Sequence, residues 1–415
     1  MKILLIGSGG RESAIASKLL ENKRVEKIFV APGNGGTESY DRCENVNLNI
    51  NEELREFAIK ENIDLTIVGP EEPLTKGIVD YFKEEGLKIF GPDKRGAMLE
   101  GSKSFSKDFM KKYGVSTAEY GVFYDEEDAK KYLDDCGYPI VIKADGLAAG
   151  KGVVICENKQ MAMETIELFM VDDIFKGAGK KVVIEEFLEG IEASILSITD
   201  GKTIIPFLSA KDHKQIFDNN KGPNTGGMGV VAPNPYVTEE VLNEFYKEIM
   251  DKTLIGIQQE KMDFKGIIFF GIMMTKKGVK LLEYNVRMGD PETQSVLTLM
   301  ESDFLEVIEA ALKENLDKNS VKWRKGYCVN IVFASEGYPK KAKIGYKIKI
   351  SEEVKDKVFI AGAKREADDL VTTGGRVLSV VETGETLEEA RDNAYNAAEQ
   401  VQFKGAYYRK DIGKL

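Results

Sequence analysis

The segment 281–287 reads LLEYNVR. On a strand, successive side chains point to opposite faces. Glu283, Asn285 and Arg287 then share one face, while Leu282, Tyr284 and Val286 face the core. A carboxylate and an amide two residues apart supply hard oxygen ligands of the kind Mg²⁺ takes, the rest coming from water and phosphates. A guanidinium on that face would stabilise charge on a transferring phosphoryl group. Gly289-Asp290-Pro291-Glu292 follows at once with more oxygen ligands, which counts against a plain solvent-facing edge.

Other segments carry partial signals. Gly7-Ser8-Gly9-Gly10-Arg11-Glu12 closes one strand and opens a helix, where backbone N–H groups and the helix dipole receive an anion. A tight strand–helix turn would look the same. A dinucleotide site wants an acid closing the second strand, and that position reads Phe29-Val30-Ala31-Pro32-Gly33, so a phosphorylated substrate fits better. The stretch from Lys143 to Gly152, KADGLAAGKG, is no Walker A motif: the glycine spacing is short, and Gly152 stands where Ser or Thr would hold magnesium. It reads as a small-residue flap over phosphates with Lys143 as a charge partner, or as a plain hairpin loop. The acidic connector Glu185-Glu186-Phe187-Leu188-Glu189-Gly190-Ile191-Glu192 could read an adenine edge and a ribose, or be a solvated turn. Lys211-Asp212-His213-Lys214 precedes Gly222-Pro223-Asn224-Thr225-Gly226-Gly227-Met228-Gly229, whose free N–H groups suit a small carboxylate. His213 is the only histidine, so no histidine cluster can hold a metal, and no G-x-S-x-G elbow accompanies it.

These segments need elements to hold them. In the first hundred residues, strand signals at Lys2–Ile6, Lys27–Val30, Asp64–Val68 and Lys88–Phe90 alternate with helices, Arg11–Leu20 among them. That pattern predicts a parallel sheet with binding loops at its strand ends. A helix in SKSFSKDFMKKY then leads to strands at Pro139–Lys143, Val153–Cys156 and Val182–Phe187 around a helix at Lys159–Met170. This reads as a small α+β lobe, about 123–190, inserted into a larger domain. Strands at Ile191–Thr199, Ile267–Met274 and Lys280–Val286 and a helix near Phe304–Lys313 follow. The polar stretch Lys313–Lys325 reads as a linker, and one amphipathic helix, Leu387–Gln400, stands out beyond it.

At 415 residues the chain needs more than one core. A net charge of -11 counts against a nucleic-acid partner. The dispersed cysteines (Cys43, Cys136, Cys156, Cys328) match a reducing compartment, and no apolar run is long enough for a membrane span. A cytoplasmic enzyme, monomeric, with no nucleic-acid or membrane partner is expected.

Taken together, the chain resembles the ATP-grasp superfamily and, within it, the phosphoribosylamine–glycine ligase (glycinamide ribonucleotide synthetase) family. The resemblance runs nearly end to end: GSGGRE at 7–12, APGNGGT at 31–37, LTIVGPEEPL at 65–74, EGSKSFSKDF at 100–109, VIKADGLAAGKGV at 141–153, VIEEFLEGIEAS at 183–194, DHK at 212–214, GPNTGGMG at 222–229, EYNVRMGDPETQ at 283–294, GGRVLSV at 374–380 and YYRKDIG at 407–413. It implies an α/β and α+β multidomain fold: a Rossmann-like domain (1–102), an ATP-grasp domain (103–325) and a mixed C-terminal domain (326–415). It implies ligation of glycine to 5-phosphoribosylamine through glycyl phosphate, with ATP and Mg²⁺ or Mn²⁺, in purine synthesis. Lys103, Lys143, Gly150, Lys151, Gly152, Glu185, Glu186, Leu188 and Glu192 would meet ATP, and Glu283 and Asn285 the metal. Gly9, Gly10, Arg11, Glu12, Asn34, Glu71, Asn224, Thr225, Gly226, Gly227, Asp290 and Pro291 would meet the other substrates, with Arg287 and Asp212 catalytic. Ser13 stands where the family usually has His, and Lys211 where it has Gln. Competing readings are a carboxylating ATP-grasp enzyme, an NAD-dependent oxidoreductase and a catalytically silent nucleotide-binding regulator.

Overall fold

The computed structural model describes residues 1–148 and 152–414. The amino-terminal strands Cys43–Asn45, Lys27–Pro32, Lys2–Gly7, Leu65–Val68 and Ile89–Pro92 lie side by side in that order, all parallel. Helices cover both faces, which is why Ile3–Ile6 and Leu65–Val68 are uninterrupted apolar or small residues, buried on either side. Cys43–Asn45 has no apolar pattern, and only its register against Ile28–Val30 makes it a strand.

The sheet does not stop at that domain. Ile89–Pro92 pairs antiparallel with Phe264–Thr275, and the ladder continues through Gly190–Thr199, Ile204–Asp212, Gly229–Ala232, Tyr327–Ser335 and Arg376–Gly384. The result is one sheet of fourteen strands. The expected divisions after 102 and 325 therefore fall between strands of a single hydrogen-bonded frame. The segment expected as a linker is not free: Trp323 bridges Met300 and stacks edge-on against Phe207 at 5.5 Å.

A second sheet stands apart. Tyr120–Phe123, Val182–Glu186, Ile140–Ala144 and Val153–Cys156 form four antiparallel strands in that order. Helices Glu126–Tyr132 and Lys159–Ile166 cover it, and their starts are set by the side chains of Asp125 and Asn158, which accept from free N–H groups of the first turn. The helix expected over Lys159–Met170 changes to a wider turn at Glu167–Val171. This lobe has its own core, built on Leu133, Ile142, Ile166, Phe169 and Ile184. Ser102 caps the helix Lys103–Tyr113 by accepting from Phe105 N–H, and Gly114 ends it in the left-handed conformation.

A separate core predicts separate melting. Phe169, 1% exposed, packs on Phe175 at 5.0 Å. Phe169→Ala should cost the lobe about 3–5 kcal/mol. Hydrogen exchange is expected to lose protection at 120–186 while the parallel strands keep theirs. A uniform loss over both would show that the lobe is not an independent unit.

Candidate active site

The strand Gly278–Asn285 pairs with Phe264–Thr275, and its register slips by one residue at Leu282: Gly271 faces Glu283, but Ile272 faces Leu281. The bulge turns Leu281 into the core and leaves Leu282 half-buried, the reverse of what strict alternation gives. Beyond it the alternation resumes. Tyr284 is buried with its hydroxyl 2.7 Å from Thr253 Oγ1, and Glu283 and Asn285 lie half-buried on the opposite face. Desolvation would raise the Glu283 carboxyl, but Lys214, Lys103, Lys143 and Arg287 outweigh it and hold the group below the usual range. It is a carboxylate at neutral pH. Among the described residues no three His, Cys, Asp or Glu side chains cluster for a metal. The carboxylate of Glu283 and the amide oxygen of Asn285 are hard donors, which fits an ion that draws its other ligands from phosphates and water.

Arg287 is not the free cation that alternation predicts. The strand ends at Asn285, and the guanidinium beyond it pairs with Glu100 at 2.8 Å and Glu71 at 3.3 Å. It also donates to Asn285 Oδ1 at 3.1 Å. Glu100 accepts from Val286 N–H at 2.7 Å as well. Arg287 therefore orients a metal-ligand candidate and joins the strand to the amino-terminal helices.

On the small-lobe side, Lys103 opens its helix with its N–H on Asp145 O at 2.9 Å. The Asp145 carboxylate accepts from Ser104 N–H at 2.7 Å and pairs with Lys181 at 3.0 Å. These bonds outweigh desolvation and lower its pKa. They fasten the start of the expected flap to the helix. Gly152 accepts from Ala144 N–H at 2.8 Å across that flap; Gly150 and Lys151 lie outside the described residues. Lys143 pairs with Glu185 at 3.0 Å, and Lys107 meets the same carboxylate at 3.3 Å. Glu186 is exposed and accepts from Glu119 N–H at 2.9 Å. Leu188 is half-buried in the connector, and Glu192 pairs with Lys214.

The strand ends of the amino-terminal sheet form a cleft lined by Gly9, Arg11, Glu12, Asn49, Asn51 and Lys76. Within it the expected residues divide. Glu12 is buried, accepting from Gly9 N–H and Arg11 Nε, both at 2.6 Å. Gly69 must be glycine, since a Cβ there would stand 1.8 Å from Glu12 Oε1. Arg11 also donates to Met288 O at 3.2 Å. Asn34 turns inward: its amide donates to Ser8 O, Gly9 O and Ile360 O, and its oxygen accepts from Gly36 and Thr37 N–H. Ser13 lies in the same knot, donating to Ile360 O at 2.6 Å. Asn34 and Glu12 shape the loop from within. Glu71 faces Arg287, which with desolvation opposing holds its carboxyl low.

The glycine loop is built as a clasp. Strands Gln215–Phe217 and Lys221–Asn224 pair as a hairpin, leaving Asn224 exposed. Thr225 Oγ1 donates to Lys214 O at 2.7 Å and accepts from Gly227 N–H at 3.0 Å. Gly227 sits at φ +112, and a Cβ there would strike Pro291 Cδ at 2.5 Å and Asp212 Oδ1 at 2.6 Å. Arg376 donates to Gly226 O and Asp290 O and pairs with Asp290 Oδ2 at 3.0 Å, so the 222–229 and 289–292 loops share one guanidinium. Burial and the nearby Glu292 raise the Asp212 carboxyl well above its ordinary value. Pro291 O accepts from Asn330 Nδ2 at 2.9 Å. Behind the hairpin, buried Arg409 holds Asp411, Gln215 O and Asn220 Oδ1.

Sequence reasoning gave no role to Glu100, Lys107, Lys214, Arg376 or Arg409. A lysine one helical turn after Lys103 was a usable signal, because residues i and i+4 share a helix face. The arginines carry little: Arg376 meets Asp290 and Gly226 O, and Arg409, besides its neighbour Asp411, meets Gln215 O and Asn220 Oδ1, all far away in the chain.

A small antiparallel lobe set beside a large sheet, with a carboxylate–amide pair and lysines between them, is the ATP-grasp arrangement. Three family models cover the chain: the N domain of phosphoribosylglycinamide synthetase at 1–100, its ATP-grasp (A) domain at 101–293 and its C domain at 328–415. The chain belongs to the phosphoribosylglycinamide synthetase family. It is 66% identical over 414 residues, all of both chains, to the phosphoribosylamine–glycine ligase of Clostridium acetobutylicum. It is 54% identical to that of Fusobacterium nucleatum, over 100% of this chain and 99% of the other. The crystal structure of the Thermotoga maritima phosphoribosylamine–glycine ligase superposes with TM-score 0.87 at 36% identity, covering 99% of this chain and 100% of that one. A biotin carboxylase from Campylobacter jejuni shares the fold alone, with TM-score 0.77 at 14% identity over 98% of this chain and 92% of that one.

His213 gives the loop a direct probe. Burial first, then Arg409, pushes its ring from 6.5 down to about 4. Between those values the unfolded chain binds a proton that the folded chain refuses, so stability falls as pH drops through that window. The single histidine resonance should stay that of a neutral ring at pH 5.5, and His213→Asn should flatten the acid limb of the stability curve. A ring midpoint near 6.5 would show that the clasp is not closed around it.

Proposed function

We propose that this chain ligates glycine to 5-phosphoribosylamine with ATP, giving glycinamide ribonucleotide, ADP and phosphate. The observation that carries the proposal is the ionised Glu283 beside Asn285, ringed by Lys103, Lys143 and Lys214, where the small lobe, the glycine loop and the amino-terminal cleft converge. The family names and the near-complete coverage support the choice of substrates.

The residues suit the chemistry. Transfer of a phosphoryl group to glycine's carboxylate brings two anions together, so it needs charge neutralisation and positioning rather than a side-chain nucleophile. Lys103 and Lys143 would meet the phosphates, and Gly150, Lys151 and Gly152 belong to the segment that would close over them. Glu185, Glu186 and Leu188 would border the base and Glu192 the ribose. Glu283 and Asn285 would hold Mg²⁺ or Mn²⁺, which supplies charge stabilisation at the transferred group. Asn224, Thr225, Gly226 and Gly227, closed by Arg376 on Asp290 and Pro291, would hold glycine. Gly9, Gly10 and Arg11, with Glu12 and Asn34 shaping the turn and Glu71 at its edge, would hold the phosphoribosylamine. The amine then attacks the glycyl phosphate, its nitrogen forms the amide bond, and phosphate leaves. The nitrogen gives up a proton in that step, and Asp212, with its raised proton affinity, is suited to take it. Arg287 contributes by holding Asn285. A closed lobe keeps water from the acyl phosphate.

ADP release is expected only when ATP, Mg²⁺, glycine and freshly made phosphoribosylamine are all present. Release without glycine, or with bicarbonate in its place, would sink this reading in favour of the carboxylating one. Glu283→Gln should lower turnover more than about 100-fold, with the unfolding midpoint nearly unmoved. Near-normal turnover would refute the metal assignment.

A further inference from the structure

Two lysines are buried against one carboxylate. Glu185 Oε2 lies 3.0 Å from Lys143 Nζ and 3.3 Å from Lys107 Nζ, and all three side chains are less than a tenth exposed. The other oxygen, Oε1, is buried with no hydrogen-bond partner among the described residues. A buried carboxylate left without a cation is strongly unfavourable, so something must stay with Glu185 whenever Lys143 is engaged elsewhere. In the proposed reaction Lys143 is engaged elsewhere, because it is the cation assigned to the nucleotide phosphates.

Lys107 is built to stay. Its ammonium donates to Thr117 Oγ1 at 2.7 Å, and that hydroxyl donates in turn to Leu281 O at 2.6 Å. Tyr120 donates to the carbonyl of Lys107 at 3.0 Å, and its ring lies 5.6 Å from the ammonium. Lys143, by contrast, has among the described residues Glu185 and a long 3.5 Å contact to Leu282 O. The charged groups facing Lys107 are Glu185, Lys143 and Glu283. Burial lowers its pKa to about 8 against the pull of Glu185, which leaves it mainly charged at neutral pH.

We infer that Lys107 is the positioning residue that keeps Glu185 neutralised, so that Lys143 can exchange Glu185 for the nucleotide's phosphates. No contact between Lys107 and ATP is required. The inference rests on the ATP-dependent reading above, and the two fail differently.

The test is equilibrium binding of the non-hydrolysable analogue AMPPNP with Mg²⁺, measured by calorimetry on the full chain. Lys107→Met should weaken binding on the order of tenfold or more, and raise KM for ATP with kcat at saturation little changed. Lys107→Arg should keep most of the affinity. In the Glu185→Gln background, adding Lys107→Met should change nothing further, because no buried carboxylate remains to be neutralised. That comparison is available even if Lys107→Met alone fails to fold. Unchanged binding in Lys107→Met, or an equal loss in the Glu185→Gln background, would overturn the inference. Absence of AMPPNP binding by the unaltered chain would instead overturn the function itself.

Discussion

Arg287 lies where the strand of Glu283 and Asn285 runs out, and its guanidinium is enclosed by Glu100, Glu71 and Asn285. An arrangement of two carboxylates on one guanidinium costs desolvation that attraction alone does not repay, so its value lies in geometry. Asn285 can present its oxygen to the cleft only in the orientation that the arginine permits. Glu71 begins the helix in the loop after the third long parallel strand, beside the amino-terminal cleft. One ion cluster therefore fixes the strand of Glu283 and Asn285 and the edge of the amino-terminal cleft in the same frame. Removing either acid would loosen both.

Beside that frame, lysines are held by shared carboxylates. Lys143 and Lys107 crowd one oxygen of Glu185, while Lys214 is held charged by Glu192, Glu283 and Asp212 against the desolvation that would lower it. Such an arrangement is poised for polyanions, since phosphates can take over partners that carboxylates now occupy. The small lobe has its own core and its own sheet, apart from the fourteen-stranded frame.

Much of the frame was legible because its causes are local. Buried parallel strands read as unbroken apolar runs, and the helices at 103–113 and from Lys159 were expected, whereas the short helix Glu126–Tyr132 was not. Glu283 and Asn285 followed from a period of two. The bulge at Leu282 did not, because it depends on how the neighbouring strand sets its register. The glycine motif near residue 10 read as an anion cradle, yet Glu12 and Asn34 point inward, which only the tertiary positions of Gly69 and Ile360 disclose. The ion pairs of Arg287 were hidden for the same reason: its partners come from residues 71 and 100.

Two arginines of the last domain explain why the sheet extends as far as it does. Arg376 closes the front of the glycine loop on Asp290, and Arg409 fixes the hairpin behind it, with its side chain wholly buried. A glycine-rich loop is permissive by nature, and its N–H groups converge on a ligand only if the backbone is held from outside. The strands Tyr327–Ser335 and Arg376–Gly384 carry that support across the sheet from the strand Gly229–Ala232 that the loop feeds, with a register shift at Phe333/Ala334 just before Arg376. The carboxyl-terminal domain then acts on the glycine loop from outside, through guanidinium groups that hold its backbone carbonyls and its hairpin in place.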